Sequence, residues 1–251
     1  MLAPTERFSS RVENYVRYRP GYPAQILELL RNACNLSADS VVADIGSGTG
    51  KLTEVLLGSG CRVFGVEPNR EMREAGERLL KDPRFTSVAA SAETTTLQTN
   101  SVDLIVAGQA FHWFDREKSR AEFLRILKPD GQVVLIWNDR RTDATPFLAA
   151  YEGLLREFAT DYEQVNHRNL DSVMLSKFFR TEPRFKKFCY AQHFDFEGLK
   201  GRLLSSSYAP EAGQPGHDAM LGGLREVFDT HQKQGQVAFE YDTLVYYGSL
   251  A

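Results

Sequence analysis

The sequence has few of the features that mark secreted, membrane-spanning or metal-stabilised proteins. Only three of its 251 residues are cysteines, Cys34, Cys61 and Cys189. They are odd in number, far apart and in no CxxC pairing, so they predict neither a disulfide framework nor a zinc site. The longest apolar runs are only as long as a strand, and the charged start of the chain has no apolar segment, so we expect no membrane helix and no secretory signal. A cytoplasmic location is the default expectation.

An excess of charge is also lacking. The 30 Lys and Arg residues nearly balance the 33 Asp and Glu residues, for a formal net charge of −3. This balance provides no general attraction for nucleic acid or an anionic membrane, and we expect neither as a partner. The chain contains no repeat or low-complexity tract. Its length suits one α/β domain, or one domain with a cap.

What the sequence does have is a regular alternation of helix and strand patterns. Strands are predicted at residues 41–45, 62–66, 85–90, 102–107, 132–137, 185–193 and 237–247. Helices are predicted near residues 26–33, 51–57, 68–80, 115–127, 146–162, 196–204 and 218–231, with Asp115 as an N-cap and a turn at KPDG. Ala121, Leu124 and Leu127 are expected on the apolar face of the helix after Asp115. The alternation predicts a doubly wound, mostly parallel sheet.

The first strand leads into a turn with glycine at every second position. In VVADIGSGTGKL, residues 41–52, Asp44 is followed by Gly46, Gly48 and Gly50. In a doubly wound sheet, ligands bind outside the carboxyl ends of the strands, so this turn is expected to face a ligand. Glycine is needed where a backbone approaches a ligand or a helix closely.

The spacing of the glycines distinguishes between the classes of ligand that such a turn can bind. A phosphate-binding Walker A loop needs glycine at position 45 and Ser or Thr at position 52, where the chain has Ile45 and Leu52. The dinucleotide fingerprint needs its third glycine at Lys51. GxGxG with Glu67 at the end of the second strand instead suits a nucleoside without phosphates. A tight turn that binds no ligand remains the alternative.

An ordered set of motifs resembles the class I S-adenosylmethionine-dependent methyltransferases. The motifs are VADIGSGTG, VFGVEPNREM, SVDLIVAGQAFHWFD, LRILKPDG and QVVLIWNDR. ENYVRYRPGYP and AFHWFD resemble the trans-aconitate methyltransferase-like (methyltransferase type 11) branch. The resemblance implies one domain over residues 1–251, with a Rossmann-like seven-stranded sheet and an antiparallel C-terminal strand. It divides the chain into an N-terminal lid and helix (1–34), a cofactor-binding core (35–140) and a helical substrate-side cap with the last two strands (141–251).

The resemblance implies S-adenosylmethionine as cofactor. Asp44 matches the acid that faces its ammonium group, although Asp44 could instead bond amides at the adjacent helix start. Glu67 matches the acid that accepts hydrogen bonds from both ribose hydroxyls. Met72 matches an adenine-packing position, with a core role as the alternative. The full cofactor-binding set is Tyr18, Arg19, Asp44, Gly46, Gly48, Gly50, Glu67, Met72, Ala92, Glu93, Gln109 and Ala110.

Residues 15–22 resemble the lid over the cofactor in this branch. They include three tyrosines and two arginines, and electron-rich rings near a sulfonium gain about 0.5 to 2 kcal/mol per contact by cation–π attraction. The alternative is that these aromatic residues pack the N-terminal helix onto the domain.

The acceptor is expected beside the fourth and fifth strands. His112 and Trp113 follow the fourth strand, and Tyr208 belongs to the late cap. Arg140 and Arg141 follow the fifth strand and could receive a substrate carboxylate, with a solvated basic turn as the alternative. His112 is the candidate catalytic residue, as a base or as pocket lining. No metal is expected. The hypothesis is methyl transfer to a small molecule that carries a carboxylate, by a monomer or homodimer. A neutral acceptor with His112 as base, and a non-catalytic cofactor-binding protein, remain as alternatives.

Overall fold

The sheet has seven strands in the order β3-β2-β1-β4-β5-β7-β6. The computed structural model describes residues 12–160, 162 and 172–250, so the first eleven residues of the predicted lid lie outside the described residues. The strands are β1 Val41–Ile45, β2 Arg62–Val66, β3 Phe85–Val88, β4 Val102–Gly108, β5 Leu127–Arg140, β6 Arg184–Phe194 and β7 Val237–Gly248.

Strands β1 to β5 pair in parallel, and β7 runs antiparallel between β5 and β6. The central strands are almost continuously buried, as parallel strands covered on both faces must be. β7 instead alternates buried and half-buried residues. The predicted α/β fold, a doubly wound, mostly parallel seven-stranded sheet with an antiparallel C-terminal strand, is confirmed.

Nine helices are described within these ranges: α1 Val12–Tyr18, α2 Gln25–Cys34, α3 Lys51–Leu57, α4 Arg70–Leu79, α5 Arg116–Ile126, α6 Pro146–Phe158, α7 Ser172–Phe179, α8 Phe196–Leu204 and α9 His217–His231. A short 3₁₀ helix, Phe111–Trp113, follows β4. Asn69 and Asp115 cap α4 and α5 by accepting backbone N–H bonds, as the sequence predicted for Asp115. None of the helices in the described ranges is long and apolar enough to cross a bilayer.

Each face of the sheet has its own apolar core, and alternate residues of one strand enter opposite cores. Val42 packs with Ile26 of α2 on one face, whereas Ala43 packs with Phe123 of α5 on the other. A third core lies between α6, α8, α9 and the first part of β7. This third core supports the cap next to the carboxyl ends of the parallel strands.

Four local predictions differ from the structure. The apolar face assigned to α5 is wrong: Ala121 and Leu124 are exposed, and Phe123 and Ile126 are buried. The sequence pattern predicted a different face because Glu122 is charged and yet is buried on the inner face. Its carboxylate accepts hydrogen bonds from Thr95, in a distant loop, and from Arg125, in the same helix. The predicted helix 146–162 ends at Phe158, and residues 161 and 163–171 lie outside the described residues.

The other two differences concern α7 and the start of β5. Helix α7 was not predicted. β5 begins at Leu127, ahead of the predicted 132. Val102 pairs with Leu127 and Leu104 with Gln132, so two steps along β4 match five along β5. The residues between form an irregular bulge that contains the predicted KPDG turn.

Candidate functional site

A cleft of about 300 Å³ opens at the carboxyl ends of β1, β2, β4 and β5. The N-terminal segment and the chain after α8 complete its walls. Its lining includes most of the residues that the sequence singled out: Arg19, Asp44, Gly46, Gly48, Glu67, Met72, Ala92, Glu93, Gln109, Ala110, His112, Trp113, Arg140 and Tyr208. Tyr18, Gly50 and Arg141 are not among the residues that line it.

The glycine turn after β1 has a left-handed backbone. Gly46 has φ 70°, and a β-carbon built there would lie 2.5 Å from Cβ of Ala110, so the turns after β1 and β4 meet too closely for a side chain. Gly48 has φ 56° and lines the cleft, and a β-carbon there would lie 3.4 Å from Cε of Met72, at van der Waals contact. Gly50 faces away: a β-carbon there would lie 2.4 Å from Cδ1 of Leu80. Gly50 therefore lies against the end of α4, where glycine allows close packing, and it does not line the cleft.

Asp44 is buried at the end of β1 with one oxygen engaged and one without a partner. Oδ2 accepts a 2.6 Å hydrogen bond from the Thr53 hydroxyl, on α3. Oδ1 is enclosed and has no hydrogen-bond partner among the described residues. Burial raises the pKa of the carboxyl to about 7, and the Thr53 bond offsets only part of this effect. Such a carboxyl suits a cationic ligand, because a cation in the cleft would supply the missing partner.

Glu67 is buried at the end of β2, and the backbone holds both of its carboxylate oxygens. Oε2 accepts from the Gly48 N–H at 2.9 Å, and Oε1 accepts from the Asn69 N–H at 2.8 Å. Burial raises the pKa of this carboxyl, and the two backbone bonds oppose that effect. A carboxylate has about four acceptor sites, so two remain for hydroxyl donors in the cleft. The link to Gly48 also ties Glu67 to the glycine turn.

The loops after β3 and β4 form the neighbouring wall. Met72 of α4 is buried and lines the cleft beside Gly48. One oxygen of Glu93 accepts from the Asp115 N–H at 2.9 Å. Gln109 has φ 57°, and its side chain donates to the Asn138 carbonyl while its Oε1 is enclosed without a partner among the described residues. Gln109 therefore offers an acceptor in the cleft that Asp44 and Glu67 also line.

The N-terminal segment is tied across the cleft by bonds to α3 and β5. Nζ of Lys51 donates to the Val16 carbonyl at 2.8 Å, and Asn138 donates to the Gly21 carbonyl at 2.8 Å. Arg19 faces the cleft, whereas Tyr18 packs on α8, where a β-carbon at Gly201 would lie 2.0 Å from its ring. Tyr18 thus has the packing role that the sequence left as the alternative.

Two residues of the 3₁₀ helix after β4 line the cleft. His112 and Trp113 are half-buried there, and their ring centroids lie 4.7 Å apart. The tight turn between the left-handed Gln109 and the 3₁₀ helix brings both rings to the cleft. His112 therefore lines the cleft, and its role as a base stays a prediction.

The two arginines after β5 have separate environments. Arg140 is buried in the cleft wall, paired with the Glu152 carboxylate and 2.8 Å from the Tyr162 hydroxyl. Arg141 points away from the cleft and forms ion pairs with Asp242 at 2.7 Å and Glu240 at 3.1 Å. Because successive residues of a strand point to opposite faces, the two side chains do not converge on one ligand. The predicted Arg140–Arg141 carboxylate clamp is therefore absent from the described structure.

Other lining residues were not predicted from the sequence, among them Tyr241 from β7 and Arg202 from α8, where it lies next to the buried Leu203. Tyr15 and Tyr22, which belong to the predicted lid segment 15–22, also line the cleft. The feature of the sequence that could have indicated Arg202 is the presence of an arginine on the apolar face of a helix. Tyr208, which the sequence did place in the cap, packs edge-on against Tyr162 with ring centroids 5.0 Å apart. In the described residues, no group of three or more His, Cys, Asp or Glu side chains is arranged to hold a metal ion.

Sequence comparisons find methyltransferases. Residues 43–135 match the family described as a methyltransferase domain. The chain is 29% identical over 243 residues to an uncharacterised methyltransferase of Schizosaccharomyces pombe, covering 95% of each chain. It is 38% identical over 133 residues to an uncharacterised methyltransferase of Mycobacterium bovis, covering 53% of this chain and 52% of that protein. The chain thus matches about half the length of the mycobacterial relative.

Solved structures with the same fold cover nearly the whole chain. A protein of Anaeromyxobacter dehalogenans provisionally named a type II methyltransferase aligns with a TM-score of 0.67 at 21% identity, over 93% of this chain and 98% of its own. A protein from an antibiotic biosynthesis pathway of Anabaena variabilis, provisionally named a methyltransferase, aligns with a TM-score of 0.63 at 24% identity, over 92% and 98%. The fold is the Rossmann-like methyltransferase fold.

Proposed function

We propose that the protein is an S-adenosylmethionine-dependent methyltransferase that transfers a methyl group in line to a small molecule bearing a carboxylate. The methyltransferase domain match covers residues 43–135, which include the glycine turn, Asp44 and Glu67. Membership of the trans-aconitate-like branch stays a prediction from the sequence motifs.

The observation that carries the proposal is the pair of acids at adjacent strand ends. Asp44 offers a buried acceptor that lacks a partner in the described structure, and Glu67 keeps two acceptor sites. Between them Gly48 has no side chain to block the cleft. An ammonium group suits Asp44, and a pair of hydroxyls suits Glu67. S-adenosylmethionine carries both groups, so the residues present fit this cofactor.

The residues of the chain would contribute binding, orientation and exclusion of water. When bound, S-adenosylmethionine supplies an electrophilic methyl group on a sulfonium, which needs little covalent help. His112 and Trp113 would orient the acceptor, and the lid segment held by Lys51 and Asn138 would keep water out. A carboxylate acceptor is already ionised near neutral pH and requires no base.

Calorimetry with the full-length protein tests the proposal directly. S-adenosylmethionine and its demethylated product should bind with dissociation constants in about the micromolar range, roughly −8 kcal/mol. NAD and NADP serve as matched nucleotide controls and should not compete. Binding of a nicotinamide dinucleotide in place of S-adenosylmethionine would refute the assignment. A screen of acceptors with methyl-labelled cofactor then separates an enzyme from a protein that only binds the cofactor.

A further inference from the structure

The arginines of the cleft differ in how their charges are balanced. Arg19, Arg140 and Arg202 all line it. Arg140 is paired with the Glu152 carboxylate. Neither Arg19 nor Arg202 has a carboxylate within ion-pair distance among the described residues, where the ion pairs found involve other side chains. Two cationic side chains of the cleft wall therefore lack an anionic partner within the described part of the chain.

Arg202 is the more deeply enclosed of the two, with a side chain only 5% exposed. Its Nε donates to the Tyr241 hydroxyl and its Nη1 to the Ser206 hydroxyl, each at 3.1 Å. The guanidinium also lies 5.4 Å from the centroid of the Phe239 ring. All these partners are uncharged. A guanidinium stays protonated even when buried, and an unpaired buried charge costs several kcal/mol, so this position calls for an anion.

Arg19 reaches the same end of α8 from the lid. Its Nη2 donates to the Ser205 carbonyl at 3.0 Å. Ser205 directly precedes Ser206, whose hydroxyl accepts a hydrogen bond from Arg202. Its Nε is enclosed without a partner among the described residues. Burial, and then the positive charge of Arg202, lower the pKa of the Arg19 guanidinium. The two cations are therefore close enough to repel each other, and an anion between them would relieve that repulsion.

The pKa of Tyr208 is also affected by the positive charges in this part of the cleft. It lines the cleft three residues after Ser205. Burial raises the pKa of its phenol, yet the positive charges of Arg202, Arg19 and Arg140, together with a hydrogen bond to Ser206, outweigh burial and bring the pKa below its ordinary value. The chamber between α8 and the lid thus favours negative charge, in contrast to the part of the cleft that holds Asp44 and Glu67.

We propose that Arg202 and Arg19, the latter assigned to the cofactor from the sequence, bind an oxyanion of the methyl acceptor in the chamber bounded by Tyr208, Tyr241 and the end of α8. The fork of a guanidinium matches the two oxygens of a carboxylate or a phosphate. Identifying the anion as part of the acceptor rests on the proposed function, whereas the anion site itself does not. This site replaces Arg140 and Arg141, which are already paired with carboxylates.

Simple anions test the site without knowledge of the acceptor. Succinate, inorganic phosphate and the neutral succinamide are titrated into the full-length protein at constant ionic strength, with and without S-adenosylhomocysteine, and the dissociation constant is taken from the rise in Tm. Succinate or phosphate should bind and succinamide should not. The anion that binds more tightly assigns the site to a carboxylate or a phosphate.

Three variants locate the binding. Arg202→Met should weaken anion binding at least about tenfold, the size of one lost charge-assisted hydrogen bond, and leave the dissociation constant of S-adenosylhomocysteine within about twofold. Arg202→Lys keeps the charge without the fork of the guanidinium, and should bind the anion with intermediate strength. This variant provides the test if Arg202→Met does not fold. Arg141→Met is the matched control, because Arg141 lies outside the cleft. It should bind as the wild type does.

Several results would overturn the inference. These are equal binding of succinate and succinamide, no binding of either anion, an equal loss in Arg141→Met, or a loss of S-adenosylhomocysteine affinity in Arg202→Met that matches the loss for the anion. The last result would assign Arg202 to the carboxylate of the cofactor. Anion binding that depends on Arg202 in a protein that does not bind S-adenosylhomocysteine would leave the site intact and refute the proposed function alone.

Discussion

Asp44→Asn should change cofactor binding in a way that depends on pH. The carboxyl is buried, one oxygen lacks a partner among the described residues, and burial raises its pKa to about 7. Only the ionised form attracts an ammonium group strongly. With this pKa, roughly one Asp44 in eleven is ionised at pH 6 and about ten in eleven at pH 8. Lowering the pH across this range should therefore weaken the contribution of Asp44 about tenfold.

The measured quantity is the ratio of the dissociation constants of the Asn variant and the wild type at each pH. Taking the ratio cancels the titration of the amino group of the cofactor, which lies near the reference α-amino pKa of about 8. At pH 8 the substitution should cost about 1.5 to 3 kcal/mol, the value of a hydrogen bond to a charged group. At pH 6 about 1.4 kcal/mol of that cost should disappear. Calorimetry in two buffers should also show proton release by the wild type at pH 6.

The stability of the protein without cofactor provides an independent control. A carboxyl whose folded-state pKa is raised above its unfolded value, here from 3.8 to about 7, destabilises the fold as the pH rises through that interval. The wild type should therefore lose stability relative to Asp44→Asn between pH 4 and pH 8, by at most about 4 kcal/mol. A ratio of dissociation constants that stays constant from pH 6 to pH 8 would refute the assignment of Asp44 to an ammonium group.

Three further substitutions test the rest of the site. Gly48→Val should abolish cofactor binding in a folded protein, because φ 56° strains a β-branched residue by about 1 to 3 kcal/mol and its side chain enters the cleft; unchanged calorimetric binding would make the turn merely structural. Glu67→Gln should weaken cofactor binding by roughly 1.5 to 3 kcal/mol without creating affinity for NAD or NADP, and an unaltered dissociation constant would remove Glu67 from the site. His112→Ala, assayed with the best acceptor from the screen, should lower kcat less than about tenfold, and a loss of about a thousandfold with cofactor affinity retained would make His112 a base.

Some of the site depended on local pattern and was predictable. Asp44 and Glu67 stand at the ends of strands whose bounds the sequence predicted without error, 41–45 and 62–66. Parallel neighbours place their carboxyl ends at one edge of a sheet, so the two acids had to lie close together once β1 and β2 paired. Gly48 belongs to the same category, because its spacing from β1 fixes its place in the turn.

Charge partners were beyond the reach of the sequence. The partners of Arg140 and Arg141 lie 12 and about 100 residues away, on α6 and β7. Arg19 reaches the end of α8, the helix that carries Arg202, only because α8 packs against the lid. Tyr18 and Arg19 are neighbours in the chain, yet one packs on Gly201 and the other lines the cleft.

The sequence by itself therefore determined the layered fold, the turn after β1 and the acidic half of the cleft. Each of these follows from periodicity and from strand ends, which involve residues close in the chain. Only the tertiary structure decided which arginines are neutralised and which lack an anionic partner in the described residues. That distinction depends on contacts between α6, α8, β7 and the lid, which bring together residues up to 186 positions apart. Electrostatic balance in a buried cleft is set by such distant neighbours, and no local pattern encodes it.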